Sequence, residues 1–175
     1  MNIYDCKGSW ALVTGASSGI GAEFCRQLAA AGMNLVLVAR RKKLLEELSY
    51  GIQTLLLFTD LSEPKSAIEV KTATSNAGIR IRLLVNNAAS GPWGSFIKTT
   101  ALDYEKILQL TAITPISLCN VYISDLESFP ESAIINVSSP SALQPVPYLA
   151  VYSAAKACLH NFSLALYGEL QDKSI

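Results

Sequence analysis

Histidine is almost missing from the sequence, occurring once in 175 residues, and 14 Lys and Arg balance 14 Asp and Glu to a formal net charge of zero. A neutral chain has no global field to recruit nucleic acid or an anionic membrane. The four cysteines, Cys6, Cys25, Cys119 and Cys158, are scattered, and the one Cys-x-His pair, Cys158 with His160, falls short of a metal-ligand set. No metal is expected, and the cysteines read as buried or half-buried thiols of a reducing compartment. Residues 1–10 lack the apolar core of a signal peptide, and no apolar run approaches the ~18 residues of a membrane span. These shortages point to a soluble, cytoplasmic protein with no membrane span, leaving docking on a membrane surface open. Repeats, low-complexity tracts and linker-like stretches are also missing. With 50% of residues hydrophobic and 16% charged, the chain reads as a single globular domain over 1–175.

What is present is an alternation of apolar runs with helical patterns. Strands are predicted over 10–13, 34–39, 54–59, 81–85 and 133–137. Helices are predicted over 20–31, 40–49 (with Leu44, Leu45 and Leu48 at helical spacing), 63–76 (opened by Pro64), 101–127 and 151–171. The strands are nearly all apolar, as in a parallel sheet covered on both faces. Strict alternation implies right-handed crossovers and an α/β fold with a doubly wound parallel sheet, Rossmann-like, of about five strands. Ligands of such sheets bind beyond the carboxyl ends of the strands, so residues at those ends are the candidates.

The first strand runs into Thr14-Gly15-Ala16-Ser17-Ser18-Gly19-Ile20-Gly21. Gly15 is placed to take a backbone angle that a side chain forbids, and Gly19 and Gly21 let a ligand and the strand approach the helix closely. The first-turn amides and the helix dipole would then face an anion such as a pyrophosphate. An ordinary glycine-rich turn would look the same on these residues alone. After the second strand, a binder of an unphosphorylated dinucleotide offers Asp or Glu to the ribose. This chain offers Ala39, Arg40, Arg41, Lys42 and Lys43. A phosphate suits that run better, so NADP is expected over NAD, with Arg40 the first choice for the 2′-phosphate.

Ser139, Tyr152 and Lys156 form the second cluster. Tyr152 and Lys156, four apart on a predicted helix, lie on one face and can act on one ligand. A free phenol titrates near ~10, and an ammonium held close lowers that value, making Tyr152 a general acid and base. Ser139 can hydrogen-bond the same carbonyl or hydroxyl oxygen.

Taken together, Thr14-Gly15-x-x-x-Gly19-x-Gly21, Asp60, Asn86-Asn87-Ala88, and a serine thirteen residues before Tyr152-x-x-x-Lys156 resemble the short-chain dehydrogenase/reductase family, in family order over almost the whole chain. The resemblance implies that Ser139, Tyr152 and Lys156 are catalytic, with Lys156 also holding the nicotinamide ribose. It implies that Asp60 lies by the adenine and that Asn87, Ala88 and their backbone line the cofactor cleft. It further implies reversible hydride transfer between NADP and a carbonyl or secondary alcohol, in a homo-oligomer, dimer or tetramer. Pro92, Trp93, Phe96, Pro145, Val146, Pro147, Tyr148 and Leu149 lie on loops the family uses around its substrate and suggest an apolar pocket.

Three departures stand out. Ala89 replaces the glycine usual after Asn-Asn-Ala. Thr111 aligns with the family's catalytic asparagine, whose main-chain carbonyl holds a water in the proton relay. Pro115, four residues on, cannot donate to the Thr111 carbonyl, which is expected to stay free for that water. Lastly, the sequence stops at Ile175, where the resemblance implies a sixth strand, leaving the family's last two strands and its substrate-closing loop unrepresented. A truncated reductase is the favoured expectation, beside a fragment of a longer product and a chain completed from elsewhere. The rival reading is a catalytically impaired NADP-binding or oligomerisation module.

Overall fold

The apolar runs fold into one parallel sheet in the computed structural model, which describes residues 1–41 and 51–175. Its strands are β1 (Trp10–Thr14), β2 (Asn34–Val38), β3 (Thr54–Leu57), β4 (Ile81–Asn86) and β5 (Ala133–Asn136), in the order β3-β2-β1-β4-β5. Leu12 stands opposite Val36 on one side and Leu84 on the other. The chain steps outward from β1 to β3 and then returns to lay β4 on the far side of β1. The direction of winding thus reverses between the carboxyl ends of β1 and β4, where a doubly wound sheet opens its binding crevice.

Helices cover both faces: α1 (Gly19–Ala30), α2 (Ser66–Asn76), α3 (Ala101–Leu108), α4 (Thr114–Glu127) and α5 (Ala150–Glu169). Successive strand residues point to opposite faces. Val13, Leu35, Leu37, Leu83 and Val85 pack with Cys25 and Leu28 of α1, while Leu12, Val36, Val38 and Leu84 pack with Val70 of α2 and Leu118, Tyr122 and Leu126 of α4. Residues of β3 and β5, the outer strands among the described residues, are only half-buried. The start of β5 is met by the end of the chain, the Ser132 N–H donating to the Ser174 carbonyl at 2.8 Å.

The predicted helix over 40–49, including Leu44, Leu45 and Leu48, falls largely outside the described residues, as do Lys42 and Lys43. The helix predicted from residue 63 begins instead at Ser66. Asp60 binds the Ser62 N–H at 3.0 Å, the Glu63 N–H reaches the Asp60 carbonyl, and Lys65 sits in the left-handed region at φ 70°. Residues 60–65 therefore make a turn, and Pro64 lies outside the helix it was expected to open. The helical stretch Ala101–Glu127, 27 residues, holds an 18-residue window of mean hydropathy 1.4 and is long and apolar enough to cross a membrane by length and composition alone. Its Thr, Ser and Asn residues interrupt every apolar run. Here it lies against β4 and α2, with Leu118, Tyr122 and Leu126 in the core.

A buried polar cluster joins α4 to its neighbours. The Asp125 carboxylate accepts from Lys71 Nζ at 2.5 Å and from the Ile81 N–H at 3.1 Å, fixing the end of α4 to α2 and to the first residue of β4. Thr74 and Tyr122 hydroxyls share a bond of 2.8 Å, and burial pushes the Tyr122 phenol pKa above its usual range. Removing one partner of such a pair strands the other groups without water. Asp125→Ala should lower unfolding free energy by about 3 kcal/mol in urea titration, while a Lys71→Met variant, whose lysine is the more exposed partner, should lose less.

Candidate active site

The turn between β1 and α1 is shaped by what it must pack against. Gly15 has φ +65°, and a Cβ there would stand 2.8 Å from Asn87 Nδ2 and 3.0 Å from Ala88 Cα. A Cβ on Gly21 would overlap the Gly15 carbonyl and lie 2.5 Å from Asn87 Nδ2. These two glycines let the turn close onto the end of β4. Gly19, at φ +56°, faces open space. The Thr14 hydroxyl ties the two strand ends together, accepting from the N–H groups of Asn87 (2.9 Å) and Ala88 (3.0 Å), while Asn87 Nδ2 donates to the Thr14 carbonyl at 2.9 Å. Ser18 precedes α1 in extended conformation without capping it by its side chain. The first-turn amides of α1 are thus left open to an anion. Over the turn lies a cleft of about 500 Å³, lined by Ser17, Ser18, Gly19 and Ile20 on one wall and by Arg40, Asp60, Asn87 and Ala88 on the others.

Two arginines divide the rim of this cleft. Arg40 faces Asp60 at 3.6 Å. Burial works against the charged Asp60 carboxyl, but hydrogen bonds from Ser62 and the nearby Arg40 guanidinium outweigh it and hold its pKa below the ordinary value. Arg41 instead reaches back over the turn, donating to Ser17 Oγ at 3.1 Å and Ser18 Oγ at 2.6 Å. Sequence reasoning ranked Arg40 first and gave Arg41 no separate place, because nothing in a basic run tells which side chain folds toward the glycine turn.

On the other side of the switch point, α5 carries Tyr152 and Lys156 one turn apart. Lys156 is buried and donates from Nζ to the Val137 carbonyl just past β5, at 2.6 Å, with Nζ 5.8 Å from the centre of the Tyr152 ring. Burial pulls the Lys156 pKa below its ordinary value. Gly91 packs against Tyr152, where a Cβ would run into the phenol ring. Ser139 opens a 3-10 turn over Pro140–Ala142 that packs on α5. Its Oγ accepts from the Ser141 N–H at 3.3 Å and lies 2.8 Å from Ser141 Oγ. When Ser141 donates in that pair, the Ser139 proton stays available to a ligand. Ser141 was not foreseen, since a serine two residues on has no motif of its own.

Thr111 is fully buried, and its hydroxyl joins the Ser90 main chain, accepting from N–H and donating to C=O at 3.4 Å each. It sits inside a π turn, Gln109–Ile113, between α3 and α4, where the Thr114 N–H reaches back five residues to Gln109. Pro115 follows and has no N–H, so a plain α-helical ladder cannot run through this point. Beside Tyr152 lies a small cavity lined by Gly91, Pro92, Phe96, Tyr104, Ile107 and Tyr148. The Tyr148 ring lies 5.8 Å from that of Trp93, centre to centre, and Tyr148 has φ 66°. Among the described residues, no group of three or more His, Cys, Asp or Glu gathers to hold a metal.

The sequence model for the short chain dehydrogenase family matches residues 9–175. The chain belongs to that family. This dehydrogenase-family chain is 34% identical over 176 residues to a very-long-chain 3-oxoacyl-CoA reductase of Podospora anserina, covering 95% of its own length and 52% of the relative. To the enzyme of the same name from Rattus norvegicus it is 36% identical over 179 residues, covering 96% and 56%. It thus spans about half the length of the curated relatives it matches. Among solved structures it resembles a short-chain dehydrogenase from Sphingobium yanoikuyae in complex with NADPH, with TM-score 0.85 and 31% identity over 94% of this chain and 66% of that one.

Two outcomes test the geometry. Thr14→Val keeps the shape of the side chain but strands the Asn87 and Ala88 N–H groups. It should cost about 1–3 kcal/mol of stability in urea titration, since buried donors are left unmade. For Lys156, folding disfavours the charged form, so the unfolded chain binds more protons between the lowered folded pKa and the ordinary value of 10.5. Stability should therefore gain a component that rises with pH across that alkaline window. Lys156→Met should lack that component in melts run as a pH series.

Proposed function

We propose that this chain carries the NADP-binding and proton-donating parts of a carbonyl reductase acting on an apolar substrate. The observation that carries the reading is the buried Lys156 fixed beside the Tyr152 ring, across the switch point from an uncapped, glycine-lined helix start. The fit to a dinucleotide rests on three features. Gly19 leaves open space, the α1 amides lack a side-chain partner, and the cleft above them continues to Arg40 and Asp60. NADP is favoured over NAD because two arginines and no carboxylate occupy the first two positions beyond Ala39, after β2. The NADPH and NADP complexes of similar solved structures point the same way. NADP, when bound, supplies the hydride.

The protein's share is position and a proton. Ser17, Ser18 and the amides of α1 hold phosphate, Arg41 and Arg40 take the 2′-phosphate, and Asp60 borders the adenine. Thr14, Gly15, Gly21, Asn87 and Ala88 keep the floor of the cleft closed. Ser139 donates to the substrate carbonyl oxygen and orients it. Tyr152 delivers the proton to that oxygen, with the Lys156 ammonium close to its ring. Thr111 acts through its main chain, whose carbonyl is freed from Pro115 to hold a water on the path to Lys156. Phe96, Ile107 and Tyr148, which line the cavity beside Tyr152, suit a hydrophobic substrate. The names of the 3-oxoacyl-CoA reductases it resembles favour a 3-oxoacyl thioester within that class. The surface of α5, where small residues such as Ala154 and Ala157 allow close approach, suits pairing with a second copy.

Tyr152→Phe should reduce NADPH-dependent turnover of a ketone or 3-oxoacyl thioester by about 10²–10⁴-fold, read as loss of absorbance at the reduced nicotinamide, with NADPH affinity unchanged. Equal turnover in the variant would defeat the reading. Tight NADPH binding without turnover in the parent chain would favour the nucleotide-binding module instead. Arg41→Ala should weaken NADPH more than NADH, by about tenfold in the ratio of dissociation constants.

A further inference from the structure

Ser139 caps the 3-10 turn Pro140–Ala142 with its side chain, accepting from the Ser141 N–H at 3.3 Å. The hydroxyl of the same Ser141 stands 2.8 Å away, Oγ to Oγ. Pro140, whose ring fixes φ, lies between the two serines and holds the turn that brings them together. Ser141 is buried, 8% exposed, whereas Ser139 is half-buried and so the more open of the pair to a ligand.

The hydrogen between the two oxygens belongs to one of them, and the surroundings decide which. Among the described residues, Ser141 Oγ has no other hydrogen-bond partner. The groove that Ser141 borders is walled by Pro145, Val146, Pro147, Ala150 and Ala157, whose side chains offer no acceptor. Ser153 shares that groove, and its buried hydroxyl has no hydrogen-bond partner either. If Ser139 donated, the Ser141 proton would be left in a buried place without an acceptor, which is the costly arrangement. If Ser141 donates, both hydroxyls are satisfied. Ser139 Oγ then accepts twice, from the N–H and the O–H of one residue, and both of its lone pairs are filled. What remains to Ser139 is its own proton.

We propose that Ser141 is a positioning residue whose two donated bonds make Ser139 an obligate donor toward the substrate oxygen. The proposal rests on the reading of Ser139 as the residue that meets the substrate carbonyl. A hydroxyl that accepts hydrogen bonds is polarised into a stronger donor, so the series Ser141 O–H, Ser139 O–H and carbonyl oxygen runs in one direction. A carbonyl oxygen has lone pairs and no proton, and it suits a partner that can only donate.

Neutron diffraction from crystals of the full chain grown in heavy water locates the shared deuteron without any turnover. It should lie on Ser141 Oγ and point at Ser139 Oγ. A deuteron on Ser139 directed at Ser141 would overturn the proposal. Kinetics supply the second test. Ser141→Ala keeps the N–H bond and should lower kcat for NADPH-dependent reduction of acetophenone or a 3-oxoacyl thioester by about tenfold, with the NADPH dissociation constant within about twofold. In a Ser139→Ala background the same substitution should change kcat by less than about twofold, because its effect passes through Ser139. An equal loss in both backgrounds, or no loss in either, would also overturn the proposal. A parent chain that reduces neither compound would defeat the reductase reading alone, since the deuteron still assigns the direction of the pair.

Discussion

The two halves of the crevice are held in register by one short side chain. Thr14 ends β1 and receives the backbone of Asn87 and Ala88 beyond β4, and Asn87 returns a bond to Thr14. Strand ends in a parallel sheet have no further ladder to align them, so side chains must satisfy their amides. Once this clasp is made, Gly15 and Gly21 have room only for hydrogen where Asn87 packs. The glycine turn, the floor of the cleft and the approach to Tyr152 all take their positions from it.

Much of this was legible beforehand. Nearly continuous apolar runs identified every strand that the described residues contain, because interior parallel strands have no polar face to confuse the pattern. Glycines at 15, 19 and 21 were readable because only they tolerate the angles and contacts seen, and Tyr152 with Lys156 because helical spacing puts them on one side. The β1–β4 clasp was only half visible. Thr14 and Asn87 were singled out as cofactor neighbours, while the bonds between them depend on a sheet order that brings residues 73 positions apart together.

Other features depend on conformations that sequence patterns do not encode. Lys65 adopts a left-handed backbone although it is not glycine, which moved the start of α2 to Ser66. Arg41, and not Arg40, lies on Ser17 and Ser18, a choice made by side-chain rotamers after the strand has ended. Ser141 joins Ser139 through a single 3-10 turn, a unit too short to leave a periodic signal.

The π turn at Gln109–Ile113 sets the relation between α3 and α4. A turn of this kind holds one residue more than an α-helical turn, and each residue advances a helix by about 100°. The extra residue lets α3 present Ile107 to the cavity by Tyr152 while α4 presents Leu118, Tyr122 and Leu126 to the sheet. A gene lineage losing one codon here would rotate every later side chain of α4 by that angle, exchanging core for surface. This segment should therefore tolerate substitution far better than it tolerates any change in length.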